Sequence, residues 1–75
     1  MNIEKIRFID EYIQSMQTDK PEEFARKLNI SKSMLFRYLN YMKAELKAPI
    51  SYNRVKQSYQ YEEKGVLTVK GWLNN

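Results

Sequence analysis

The sequence predicts a mainly α fold: three helices followed by two to three short antiparallel strands. Three observations carry that expectation. Apolar residues recur at three- and four-residue intervals from Ile3 to Leu46, the spacing of amphipathic helices. Pro49 stops that pattern, and apolar or aromatic residues then alternate at Ile50 and Tyr52 and again at Tyr59 and Tyr61. The 75 residues make one small domain, 1–75, without repeats or a linker and near the lower size limit for folding on a hydrophobic core alone.

Each element has its own signal. Ile3, Ile6, Ile9, Ile13 and Met16 space a first helix over about residues 3–16, and Phe8 and Tyr12 widen its apolar face. "QTDK" interrupts the pattern. Asp19 and Glu22 have the spacing of a capping box, and Pro21 suits the first turn of a second helix over about 20–28. Asn29 falls where a chain reversal needs a left-handed residue. Ser31 is a good N-cap for a third helix, about 32–47, whose inward stripe is Leu35, Leu39, Met42 and Leu46. The period-two residues predict a hairpin over about 50–62 with "NRVKQ" at its tip. "EEKG" reads as a turn opening a tail over 63–75, in which "VLTV" is a candidate further strand and Trp72 an anchor.

Composition narrows the function. The chain has no cysteine and no histidine, so neither a disulfide framework nor a Cys/His metal site is expected, and no cofactor is implied. Six Tyr, three Phe and one Trp supply much of the buriable area. No apolar run approaches the ~20 residues that span a bilayer. The charged N-terminus lacks a secretory core. A cytoplasmic protein without membrane contact is the expectation.

The net charge of +4 is unevenly spread. Residues 32–56 hold Lys32, Arg37, Lys43, Lys47, Arg54 and Lys56 against Glu45 alone, while the flanking segments are close to neutral. A basic segment of this kind suits a polyanion, although a solvated basic face has the same composition.

Phe24, Ala25, Leu28, Asn29, Ile30, Leu35 and Tyr38 have the spacing of a helix-turn-helix. Two helices that cross over a tight turn need a small residue at the contact, here Ala25, and a residue able to turn at position 29. With the hairpin that follows, the segment "PEEFARKLNISKSMLFRYLNYMKAELKAPISYNRVKQSYQY" resembles a bacterial winged helix-turn-helix of the DeoR-like and biotin-repressor-like kind. It is most similar to the N-terminal modules of WYL-domain transcriptional regulators. The resemblance covers about residues 6–63, and its hairpin half, "APISYNRVKQSYQYEEKG", is the more distinctive. It departs from the family in two ways: such regulators continue into a further domain, and their contact face is usually more polar than Phe36 makes this one.

The resemblance implies binding of double-stranded DNA, with the third helix in the major groove, the hairpin as a wing on the backbone or minor groove, and a nucleoid-associated regulator of transcription. Helical geometry sets Ser33, Arg37 and Asn40 opposite the Leu35 stripe, with Phe36 and Lys43 on one flank. Ser31 and Lys32 are then expected near phosphate, Ser33 and Arg37 near base edges, and Phe36 beside a thymine methyl. Asn40 and Lys43 extend the same face, and Arg54 and Lys56 at the hairpin tip suit phosphates. Against each stands a plainer role: Ser31 as a cap, Phe36 packed on a neighbouring helix, the cations solvated. Tyr52, Tyr59 and Tyr61 have the spacing of a single-strand stacking platform but also of ordinary cross-strand core cover.

Two other function classes compete. A winged helix used for protein–protein contact should expose an apolar patch, for which Phe36 and "VLTVKGWL" are the hints. An enzyme is poorly supported, because the chain lacks a nucleophile–base pair, a Gly-rich phosphate loop or any evident small-molecule substrate site. A single module of this size buries only roughly 600–1,000 Å² against DNA. A homodimer on a repeated site is therefore expected, with residues 66–75 either pairing the copies or covering the core.

Overall fold

In the computed structural model, which describes all 75 residues, α1 (Ile3–Gln14), α2 (Pro21–Lys27) and α3 (Lys32–Ala44) are followed by two antiparallel hairpins. The first pairs β1 (Ile50–Asn53) with β2 (Ser58–Tyr61), and the second pairs β3 (Gly65–Thr68) with β4 (Gly71–Asn74). This is the helices-plus-hairpin, winged-helix-like layout read from the sequence, with four strands in place of two to three. No helix is long and apolar enough to cross a membrane.

All three helices are shorter than their apolar spacing suggests, and the backbone shows why. α1 begins at Asn2, whose side-chain oxygen accepts the Lys5 N–H at 3.1 Å. It stops two residues early because Met16 turns left-handed at φ 58°. The Met16 and Gln17 N–H groups then bond back to the Ile13 and Tyr12 carbonyls. A side chain in that conformation costs about 1–2 kcal/mol, so local sequence favours continuing the helix and the tertiary fold overrides it. α3 ends at Ala44 rather than near residue 47, because Lys47 turns left-handed at φ 58°. Leu46 stays in the core through a non-helical turn.

The expected capping box is absent. Lys20, not Asp19, is the N-cap of α2, and no side chain caps it. Asp19 is itself left-handed (φ 62°) and pairs with Lys27 at 2.8 Å. Pro21 fills the first helical position, where its missing N–H has no partner to lose.

The core is one cluster. Ile6, Ile9 and Ile13 of α1, Phe24 and Ala25 of α2 with the capping Leu28, and Leu35, Tyr38, Leu39 and Met42 of α3 meet beneath Ile50 and Tyr59 of the first hairpin. Ile3 and Phe8, counted on the apolar face of α1, are exposed; the buried stripe is narrower than the periodic one. The tyrosines cover this core. Tyr59 packs edge-on against its cross-strand partner Tyr52, with ring centroids 4.9 Å apart, and tilted against Phe24 at 5.9 Å. Tyr59 is buried, and Tyr52 and Tyr61 are half-buried against the same cluster, which is the cross-strand core cover read from their spacing.

The tail is the second hairpin. In its register Leu67 faces Trp72 and Val66 faces Leu73. Leu67 and Trp72 pack on the core, and Val66 and Leu73 are exposed, so residues 66–75 at least in part cover the core. The Trp72 backbone N–H donates to the Leu46 carbonyl at 2.7 Å, and its ring lies 4.4 Å from that of Tyr61. Gly65 makes room for that ring: a Cβ there would fall 2.7 Å from the indole and 2.5 Å from the Leu73 carbonyl oxygen.

Candidate nucleic-acid interface

The turn between α2 and α3 is built by one residue. Asn29 adopts φ 59°, and the two hydrogen bonds of a Schellman closure form around it. The Ile30 N–H reaches the Ala25 carbonyl and the Asn29 N–H the Arg26 carbonyl, both at 3.0 Å. Asn adopts this conformation more readily than most residues because its short polar side chain can hydrogen-bond locally. Ser31 then caps α3, its hydroxyl accepting the Met34 N–H at 3.1 Å. With Leu35, Leu39 and Met42 fixed in the core, the opposite face of α3 is committed to solvent.

All nine candidate contact residues lie on the exposed surface. Ser31, Lys32, Ser33, Phe36, Arg37, Asn40 and Lys43 belong to α3 and its cap, and Arg54 and Lys56 to the first hairpin's tip. Of the five cations among them only Lys32 makes an ion pair, with Glu22 at 3.4 Å. That pair is solvent-exposed, so giving it up for another anion costs little. The Glu22 carboxyl is held below its usual range first by a hydrogen bond to its own backbone N–H and then by Lys32. Arg37, Lys43, Arg54 and Lys56 make no salt bridge. Phe36 is 40% exposed and belongs neither to the core cluster nor to the side chains packed against it.

The hairpin tip has its own ordering device. The Asn53 side-chain oxygen accepts the Lys56 N–H at 2.9 Å, and Gln57 closes the loop with φ 52°. Val55, between the two cations, is 94% exposed. The loop thus presents Arg54 and Lys56 from a short, hydrogen-bonded turn.

The residues that hold hairpin and helices together carried little sequence signal. Thr18 and Ser58, both buried, bond to each other through their hydroxyls at 3.1 Å. The Thr18 hydroxyl also accepts the Tyr59 N–H at 2.7 Å, and the Ser58 hydroxyl accepts the Thr18 N–H at 3.3 Å. This clasp fixes β2 to the α1–α2 loop, and hence the hairpin to the helices. Lys27 ties the same loop to α2, donating to the Gln17 carbonyl at 2.7 Å beside its pair with Asp19. Lys5 of α1 caps the end of α2 through the Leu28 carbonyl at 2.9 Å.

No group of His, Cys, Asp or Glu is placed to hold a metal ion. Comparison with protein-family models, with curated proteins and with solved structures yields no match to this chain.

Proposed function

We propose that this protein binds double-stranded DNA as a sequence-reading module of a transcriptional regulator. α3 enters the major groove, and the β1–β2 hairpin lies on the backbone or in the minor groove. The observation that carries the reading is the pairing of exposure with free positive charge. Arg37, Lys43, Arg54 and Lys56 are exposed and lack ion-pair partners, and they sit on the two elements that follow the turn at Asn29. Arg37 is the base reader: its guanidinium suits a bidentate contact with guanine, worth roughly 1–3 kcal/mol of discrimination. Ser33 and Asn40 share its face, and Phe36 meets a thymine methyl. Ser31, Lys32, Lys43, Arg54 and Lys56 hold phosphate and fix the register.

A second reading has one observation in its favour. The exposed ring of Phe36 on the outward side of α3 also fits a protein partner.

Selection of bound duplexes from a random pool separates the two, and two variants test the division of roles. Arg37→Ala is expected to relax preference at one base position. Lys56→Ala is expected to weaken all sequences alike and to reduce the salt slope by about one. Identical behaviour of the two variants contradicts the assigned roles, and a pool that yields no enriched sequence favours the protein partner.

A further inference from the structure

A cleft of about 210 Å³ opens between α1, the end of α3 and the tip of the β3–β4 hairpin. Ile6, Tyr41 and Leu67 line its interior, and Ile3 and Val69, 70% and 84% exposed, stand at its mouth. None of the nine residues assigned to DNA lines it. We propose that this cleft is a self-association site, occupied by the exposed apolar rim of a second copy of the chain.

Two features favour a second copy over any other occupant. The first is shape. An aliphatic cavity of about 150 Å³ accepts a group the size of benzene. The larger cleft here has room for an aliphatic side chain, and Val69 and Ile3 are unburied aliphatic side chains at its own edge. In a two-fold dimer the same patch supplies knob and hole to both copies. The second is charge. The lining includes one cation, Arg7, and one carboxylate, Asp10, a helical turn apart on α1; neither belongs to a salt bridge, and Asp10 accepts the Tyr61 hydroxyl on one oxygen only, leaving the other open. A two-fold axis between them sets Arg7 of each copy against Asp10 of the other. This balance differs from the basic α3 and first hairpin, so a polyanion has no preference for the cleft.

A standard interface takes roughly 800 Å² from each partner, about one-sixth of this molecule's 5165 Å². A cleft of about 210 Å³ seats only a side chain or two of the partner, so the dimer is weak and concentration-dependent. The proposal goes beyond DNA binding and does not require it.

The test is sedimentation equilibrium of the full chain without DNA, from about 10 μM to about 1 mM, the range in which a weak dimer populates. The average mass should climb from 9.1 kDa toward twice that value. Val69→Asp should raise the dissociation constant at least about tenfold, since a buried aliphatic side chain contributes that much or more. Leu73→Asp, on the outer face of the same hairpin, should leave it unchanged; circular dichroism establishes that both variants are folded. A monomeric mass at every concentration overturns the proposal. So does loss of the dimer in Leu73→Asp but not in Val69→Asp, which would move the interface to the outer sheet face. Because no DNA is present, failure here leaves the DNA reading untouched.

Discussion

Single side chains in this molecule couple position to protonation most clearly at Tyr61. Its ring packs on Trp72, and its hydroxyl donates to the Asp10 carboxylate at 2.7 Å. Burial pushes the phenol well above its usual value, with the hydrogen bond to Asp10 and that group's charge adding to the effect. Tyr59 is shifted the same way, first by burial. Both phenols keep their protons in the fold at a pH where an unfolded tyrosine loses its proton, about 10. The native state then binds more protons than the unfolded one, so stability falls as pH rises. This contribution is fully present below about pH 10 and is lost progressively above it. Tyr61→Phe should cost about 1.5–3 kcal/mol at neutral pH, since the lost hydrogen bond has a charged acceptor. It should also flatten the decline in urea midpoint from about pH 9.5 to 11.5. Parallel declines in the two proteins would contradict this account of Tyr61.

At the scale of elements, the question is what holds the first hairpin against the helices. The Thr18–Ser58–Tyr59 clasp is buried and fully hydrogen-bonded. Thr18→Val keeps the side-chain shape but leaves the Tyr59 N–H and a Ser58 hydrogen bond unmatched. The expected loss is about 1–3 kcal/mol, and for a domain of this size each kcal/mol lowers the melting temperature by about 4–8 °C. A change of less than about 2 °C would show that water replaces the clasp without cost.

The elements also show what the sequence reveals and what it hides. The turn at Asn29, the Ser31 cap, the buried stripe of α3 and the β1–β2 pairing were legible because each rests on local chemistry: a residue that tolerates positive φ, a hydroxyl at a helix start, a period. The exposure of Ser33, Phe36, Arg37, Asn40 and Lys43 follows from the period of α3, and that of Arg54 and Lys56 from their place at a hairpin tip. Periodicity overruns the helix ends near Met16 and Lys47, where the fold holds non-glycine residues in a left-handed conformation. The capping box at Asp19 failed for the same reason. The β3–β4 hairpin is only half legible: its pairing depends on Gly65 clearing the Trp72 ring and on Trp72 reaching Leu46, contacts with no local signature. Thr18 and Ser58, 40 residues apart, are alike unreadable in a single sequence.

Over the whole molecule the organising feature is separation of charge. Residues 32–56 carry six cations against one carboxylate, and the rest of the chain is nearly balanced. The fold places the inward stripe of α3 in the core and leaves its cations in solvent, while the tyrosines that could have stacked on bases cover the core instead. On the proposed function, affinity depends on phosphate contacts from α3 and the first hairpin, and sequence preference depends on Arg37 and its neighbours. The contacts assigned to phosphate include four cations: Lys32, Lys43, Arg54 and Lys56.

Phosphate contacts made by cations release counterions from duplex DNA, giving a slope of about −0.9 in log K against log salt per contact. The most direct test is therefore a titration of a random-sequence duplex across a salt series. Four contacts predict a slope of about −3 to −4. A slope near zero, or no binding at low salt, would contradict the claim that this face is built for DNA.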